Sequence, residues 1–175
     1  MANILFDRRH LREYLLWGAL AGLAYSIPVL VYLSLANYYY SAIVFIGCIL
    51  FMLVILLYTI RLTKRRPEYK STWMMIIAGN MVVLTGIIIS VLLSFMLCLF
   101  FIPEFLSGHS PDSFMKGSPD AMNINNAGTL MIIAITATLV NFGVGGVISI
   151  LVAYAVKLNQ TKDRTPGILN EPAKQ

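Results

Sequence analysis

Four long apolar stretches alternate with short polar segments along the chain, and this alternation predicts transmembrane helices. The stretches cover residues 14–35, 41–60, 73–102 and 129–156. Each reaches the ~20 residues that a helix needs to cross a bilayer core, and none alternates polar and apolar positions as a barrel strand does. Backbone amides in hydrocarbon must be bonded within their own segment. We therefore expect an all-α polytopic membrane protein, a four-transmembrane-helix bundle over residues 14–160.

The overall composition agrees with this pattern and narrows the class of partner. Hydrophobic residues make up 58% of the chain and charged residues 12%, which excludes an ordinary soluble domain. The net charge of +5 does not indicate nucleic-acid binding, because the basic residues flank the apolar stretches instead of forming one stripe. Membrane lipids are the predicted partner, and nucleic acid is not.

The distribution of basic residues predicts the orientation of the bundle. Every Lys and Arg except Lys116 lies before the first stretch, between the second and third, or after the fourth. Cytoplasmic segments carry such an excess of positive charge. We therefore place residues 1–13, the second connection and the tail in the cytoplasm, and expect residues 161–175 to be disordered.

Small residues recur at steps of four along the first and fourth stretches and more weakly along the third. Because lipid tails provide no hydrophobic drive between helices, such faces predict close helix packing. We expect spans one, three and four to form the tight centre and the second span to face mostly lipid. The same faces also fit a homo-oligomer or a protein partner. The helix-packing residues are Gly18, Gly22, Ser26, Gly86, Ser90, Ser94, Ala137, Asn141, Gly145, Ser149 and Ala153.

The apolar stretches contain no Asp, Glu, His, Lys or Arg, the groups that mark ion-coupled transport within a membrane. Cys48 and Cys98 are expected to be inert buried thiols, and no cofactor, metal or catalytic site is predicted. Asn141 is the leading candidate for a functional side chain, either as an interhelical hydrogen-bonding group or as a substrate contact. Pro28 predicts a static bend or a hinge in the first helix.

Two further patterns concern glycines and prolines near the fourth stretch. Gly143, Gly145 and Gly146 weakly resemble the unwound segments of transporters. In the connection over residues 103–128, two Ser-Pro-Asp motifs at 110–112 and 118–120 each have the residue types that begin a helix. We therefore predict a short helical outer loop that lies on the membrane interface or on the mouth of the bundle.

Several segments together resemble a family of four-span bacterial membrane proteins, typical of Bacteroidota, whose function is unknown. The resemblance covers roughly residues 14–160. It implies a location in the bacterial inner membrane and assigns no functional residue. The segments that carry it are Tyr69-Lys70-Ser71, Ile102-Pro103-Glu104-Phe105 and the stretch FGVGGVISILVAYAVK at residues 142–157.

Two functions remain open on this sequence. The first is a non-enzymatic integral inner-membrane protein that serves as a scaffold, accessory subunit or assembly partner. The alternative is a small oligomeric transporter or channel for an uncharged or lipid-like solute. That alternative requires an oligomer, or a cavity lined by the polar residues Asn80, Thr136, Thr138 and Asn141.

Overall fold

The chain forms four long helices and no strand within the part that the structure describes. The computed structural model describes residues 8–65, 72–102, 115–117 and 128–162. Its elements, in chain order, are α1 (Arg8–Leu35), a 3₁₀ turn (Tyr38–Tyr40), α2 (Ala42–Arg65), α3 (Thr72–Phe101), α4 (Gly128–Ile135), a π-helical segment (Thr136–Val140) and α5 (Asn141–Lys162). The last three follow one another without a break and together form the fourth helix.

Each of the four helices is long and apolar enough to cross a membrane. The candidate spans are His10–Leu35, Tyr38–Thr63, Thr72–Phe101 and Thr129–Ala155. The predicted all-α, four-helix transmembrane bundle is therefore confirmed. Most of the predicted helical outer loop, residues 103–128, and nearly all of the tail, residues 161–175, lie outside the described residues.

The helices are arranged as a square in which α1 and the fourth helix occupy opposite corners. α1 packs extensively on α2 and α3, and α5 packs on the same two helices, while α2 and α3 meet more sparsely across the centre. The expectation that the second span faces mostly lipid is wrong. α2 has one face inside the bundle, with buried side chains at alternating steps of four and three, namely Val44, Cys48, Phe51, Ile55, Tyr58 and Leu62.

The two ends of the bundle differ in chemistry. At one end, called the basic end, α1 and α3 begin and α2 and α5 finish. There the Arg61 guanidinium lies 5.8 Å from the centre of the Trp17 ring, which in turn packs on Tyr58. The opposite end, called the turn end, contains the 3₁₀ turn Tyr38–Tyr40, capped by the Asn37 side chain.

Candidate functional site

The small residues of α1 and α3 face each other at close range. A Cβ atom placed on Gly18 would lie 2.7 Å from Cβ of Thr85 and 3.0 Å from the backbone nitrogen of Gly86. On Gly22 it would lie 2.7 Å from Cγ2 of Ile89 and 3.2 Å from the carbonyl oxygen of Gly86. Real side chains do not approach this closely, so only glycine allows the two helices to meet here.

The small residues of the fourth helix lie against α3 in the same way. A Cβ on Gly145 would lie 2.7 Å from Cγ2 of Val83, and one on Gly79 would lie 2.8 Å from Cβ of Ser149. Both glycine contacts therefore lie between α3 and the fourth helix of the same chain. All the residues at steps of four on this face of the fourth helix are buried. They are Ala137, Asn141, Gly145, Ser149 and Ala153.

At mid-depth, polar side chains from three helices converge on the π-helical segment. The Tyr25 hydroxyl lies 2.7 Å from Oγ1 of Thr136 and donates to the carbonyl oxygen of Ile133 at 3.1 Å. Cys48 of α2 reaches the carbonyl oxygen of Thr136, with a sulfur-to-oxygen distance of 3.8 Å. Tyr25 thus links α1 to the fourth helix across the diagonal of the square. A hydrogen bond of this kind contributes roughly 0.6 kcal/mol in a membrane bundle and at most about 1.7.

The π-helical turn also explains the position of Asn141. The backbone N–H of Asn141 donates to the carbonyls of Thr136, five residues back, and of Thr138, three residues back, instead of to that of Ala137. The Asn141 side chain donates to the carbonyl oxygen of Ala137 at 3.3 Å and so satisfies the acceptor that the wider turn leaves open. Because π-helical turns are frequent at functional sites, this segment is the strongest backbone feature of the interior.

Three buried oxygen atoms near this turn have no hydrogen-bond partner among the described residues: Asn141 Oδ1, Ser90 Oγ and Ser94 Oγ. Asn141 and Ser90 are fully buried, and Ser94 is 4% exposed. The contacts of Gly79 and Gly145 set the register of the two antiparallel helices, which brings Asn141 to the level of α3 just before Ser90. An unpaired buried polar atom lowers stability by about 1–3 kcal/mol. These three atoms therefore mark polar groups that destabilise the bundle where they lie.

Two apolar crevices flank the part of α3 near the turn end. The crevice between α3 and α4 has a volume of about 260 Å³ and includes Ser94, Cys98 and Ala134 in its walls. The crevice between α1 and α3 has a volume of about 300 Å³ and includes Ser26 and Phe100. Both lie where α3 buries only one residue per turn.

The polar residues expected to line a transport cavity do not gather around one space. Thr138 lines the crevice between α3 and α4, whereas Thr136 and Asn141 lie inside the bundle. Asn80 lies farther toward the basic end, where its Oδ1 would be 3.7 Å from a Cβ on Gly146. Its side-chain nitrogen donates to its own helix, at the carbonyl of Ile76.

Glycine-rich and proline-containing turns remain helical. Gly143, Gly145 and Gly146 all lie within α5, so the irregular turn precedes them instead of including them. Pro28 lies inside α1, which continues through it to Leu35. Ser26 donates to the carbonyl of Gly22 at 2.8 Å, so it does not compensate the carbonyl of Ala24 that Pro28 leaves without its donor.

The turn end is closed by a short strap from the long connection between α3 and α4. Lys116 donates its backbone N–H to the carbonyl of Ala36 at 2.9 Å and accepts from the N–H of Tyr38 at 3.0 Å. Gly117 has a φ of 75° and faces the Tyr39 ring, which a Cβ atom on Gly117 would meet at 2.5 Å. Glycine therefore suits this position both by conformation and by space.

The reactive and metal-ligating residue types remain dispersed in the described part of the chain. No three of its His, Cys, Asp and Glu residues come together in a group that could hold a metal ion. Cys48 and Cys98 are both buried and free. The interior chemistry is thus that of hydroxyl, amide and thiol groups in an apolar surrounding.

Sequence reasoning missed Tyr25 and the π-helical turn. Tyrosine usually lies at the membrane interface, so Tyr25 in the middle of a span was an available signal of an interior hydrogen bond. The π-helical turn had no comparable signal, because its sequence, Thr-Ala-Thr-Leu-Val, is also compatible with an α-helix.

Comparisons with protein-family models, with curated proteins and with solved structures find no match to this chain. The resemblance to the Bacteroidota-type family therefore stays a prediction.

Proposed function

We propose that this chain is a non-enzymatic integral protein of a bacterial inner membrane, where it serves as a scaffold, accessory subunit or assembly partner. The observation that carries this proposal is the strap at the turn end. Two backbone hydrogen bonds tie Lys116 to the connection between α1 and α2, which gives the bundle an ordered surface at its turn end. Tyr39, Tyr40 and Lys116 are all exposed there.

The choice of this surface follows from the packing of the small-residue faces. Gly18, Gly22 and Gly145 contact α3 of the same chain, so we assign the partner contact to the turn end. Exposed aromatic residues are enriched in the cores of protein interfaces, and Tyr39 is 79% exposed. The proposed partner is another protein of the same membrane or of the compartment beyond it.

Purification of the full chain in native-lipid nanodiscs, followed by native mass spectrometry, tests the proposal. We expect a distinct protein at fixed stoichiometry. Gly117→Ala should release this partner, because alanine fits neither the φ nor the space at Gly117. Gly143→Ala is the matched control, since a Cβ on Gly143 meets nothing within 4 Å. A bare monomer from the native membrane would contradict the proposal.

The proposed orientation has both termini in the cytoplasm and the strap on the opposite side. It is supported by Arg8, Arg12 and Arg61 at one end of the bundle, against Lys116 as the one basic residue described at the other. Lys116→Cys should react with a membrane-impermeant maleimide in intact spheroplasts, because this position is exposed and both native cysteines are buried. Labelling only after the membrane is opened would reverse the orientation.

A second candidate is an oligomeric transporter or channel for an uncharged or lipid-like solute. The specific observation in its favour is Asn141, which lies near the middle of the span Thr129–Ala155. Its amide oxygen accepts no hydrogen bond from any described residue. Solute flux in proteoliposomes that changes on Asn141→Leu would favour it. If solute flux is absent, or is unaffected by Asn141→Leu, the scaffold function remains the proposal.

A further inference from the structure

The crevice between α3 and α4 opens on the lipid-facing side of the bundle. Val91 and Phe95 in its walls are 39% and 48% exposed, and Ala134 lies exposed on the opposite wall. In a membrane these rims face hydrocarbon, so an occupant must arrive from the lipid phase.

The shape of this crevice fits one hydrocarbon chain. It extends from Val91 to Cys98, two turns of helix or about 10 Å at ~1.5 Å rise per residue. A volume of about 260 Å³ over that length corresponds to a cross-section of roughly 25 Å². A transmembrane helix is ~10 Å across with its side chains and does not enter such a space, whereas an extended acyl chain does.

Ser94 supplies the one hydroxyl group in the wall that lacks a partner among the described residues. Its hydroxyl has no hydrogen-bond partner among the described residues, although the residue is only 4% exposed. Cys98 and Thr138 line the same crevice, and the Thr138 hydroxyl already donates to the carbonyl of Ala134 at 2.6 Å. The Ser94 oxygen is itself buried, so contact with an occupant of the crevice requires rotation about the Cα–Cβ bond, which turns the hydroxyl toward the space that the residue lines.

The depth of Ser94 identifies the kind of acceptor that it meets. Trp73 and Phe100 are 73% and 85% exposed at the two ends of α3, as aromatic residues at membrane interfaces are. About 40 Å separates them, which matches a bilayer with its headgroup layers. Ser94 is ~9 Å inside Phe100, and the headgroup layer is ~5–7 Å thick. This serine thus lies ~2–4 Å inside the hydrocarbon boundary, within hydrogen-bonding reach of phospholipid ester carbonyls at that boundary.

The crevice between α1 and α3 provides an internal comparison. It has a similar volume, about 300 Å³, and also contains a serine, Ser26. The Ser26 hydroxyl, however, donates to the carbonyl of Gly22 at 2.8 Å. Because the single hydroxyl hydrogen of Ser26 is already in this bond, the second crevice offers no free serine donor to a lipid.

We propose that the crevice between α3 and α4 seats the ester end of one acyl chain of a diacyl phospholipid. The Ser94 hydroxyl donates a hydrogen bond to the ester carbonyl, and the chain runs from there past Val91 toward the bilayer centre. The site takes its ligand directly from the bilayer and needs no opening of the bundle. It is independent of the partner surface at the turn end.

Native mass spectrometry of the full chain, reconstituted with a diester phosphatidylethanolamine or with its diether analogue, tests this site. The diether lipid has the same chains and headgroup but no carbonyl. We expect one diester lipid to stay bound per chain and the diether lipid to be held about three- to twenty-fold more weakly, the range for one membrane hydrogen bond. Equal retention of the two lipids by the unmodified chain would overturn the proposal.

Two variants, each with a matched control, locate the contact. Ser94→Ala should hold both lipids equally, at the level of the diether lipid, and Ser26→Ala should preserve the difference between them. Ala134→Leu places a larger side chain in the crevice and should remove the bound lipid, whereas Ala155→Leu, at an exposed alanine outside both crevices, should not. Undiminished lipid binding by a folded Ala134→Leu protein would place the lipid elsewhere. If that variant fails to fold, the comparison of Ser94→Ala with the two lipids decides alone.

Discussion

The two halves of α3 are both apolar in sequence, yet they pack in opposite ways. From Ala78 to Val83, in its basic half, α3 buries two residues in each turn. Beyond Gly86 it buries one residue in four, and an apolar crevice opens on each side. The first half is held between α1, α2 and α5, whereas the second half contacts its neighbours along a narrow line.

This difference shows what determines packing where the solvent is itself apolar. Burial of a leucine in such a bundle gains little over its contact with lipid, so closeness and shape decide whether two helices associate. Glycines permit that closeness at the middle of α3, where Gly18 and Gly22 of α1 meet it. Toward the turn end this register continues through Ser26, but larger residues, among them Ile27, Leu30 and Leu93, line the crevice between α1 and α3.

The largest expected effect comes from removing the side chain that fills the centre of the close-packed region. Phe51 of α2 is fully buried, and a Cβ on Gly86 would lie 2.8 Å from its ring. Phe51→Ala should lower the free energy of unfolding by about 3 kcal/mol or more, because a cavity replaces the ring. Phe45→Ala, at a half-exposed position of the same helix, is the control and should cost less than about 1 kcal/mol. Denaturant titration in mixed micelles measures both. Equal losses of free energy of unfolding in the two variants would indicate that α2 faces mostly lipid, as expected from its sequence.

The next effect concerns the glycine contact between α1 and α3. Gly22→Ala should lower the free energy of unfolding by about 1–3 kcal/mol, since the added methyl group meets the backbone of Gly86 and forces the helices apart. Gly143→Ala should be neutral or stabilising by up to ~1 kcal/mol, because its methyl group meets open space and alanine favours the helix. The same titration compares the pair. A Gly22→Ala protein as stable as the unmodified chain would show that the close contact at Gly22 does not determine the packing of α1 on α3.

A smaller effect is expected from the diagonal hydrogen bond at mid-depth. Tyr25→Phe keeps the ring and removes the bonds to Thr136 and to the Ile133 carbonyl, so it should cost about 1 kcal/mol. Hydrogen exchange of the amides in Thr136–Val140 should become faster, because this segment loses its tie to α1. Unchanged exchange there would mean that the π-helical turn is held by α2 and α3 alone.

The smallest effect is expected in the loosely packed half of α3, near the turn end. Ala134→Leu adds volume next to the turn half of α3, where the crevice can receive it, and should change the free energy of unfolding by less than about 0.5 kcal/mol. A loss as large as that of Gly22→Ala would show that the turn half is as tightly packed in the membrane as the basic half.

The four helices could be predicted from the sequence because membrane insertion depends on length and apolar character, which the sequence displays directly. The position of α2 could not, because nearly every residue of that span is apolar and the inward face at Val44, Phe51 and Ile55 is indistinguishable by hydropathy from the outward one. Small residues at steps of four mark the packing faces of α1 and of the fourth helix. In α2 the one close glycine contact is Gly47, where a Cβ would lie 2.9 Å from the carbonyl oxygen of Tyr25, and the rest of the buried face is mostly large residues.

The candidate site was predictable only in part. Asn141 was selected from its amide at membrane depth, but its role at Ala137 depends on the π-helical turn, which arises from tertiary contacts. Ser90 and Ser94 were assigned to helix packing, and both are buried on α3. The crevice beside Ser94 depends on the spacing between α3 and α4, which residue identities on either helix do not specify.

The strap at Lys116 also affects the order in which the chain can be assembled. The connection between α1 and α2 is synthesised early, but its hydrogen-bond partners at Lys116 emerge only after α3 has been made. The first hairpin therefore enters the membrane with these backbone groups of Ala36 and Tyr38 still unpaired. Completion of the turn end reports, within one molecule, that the third span has been inserted in the correct direction.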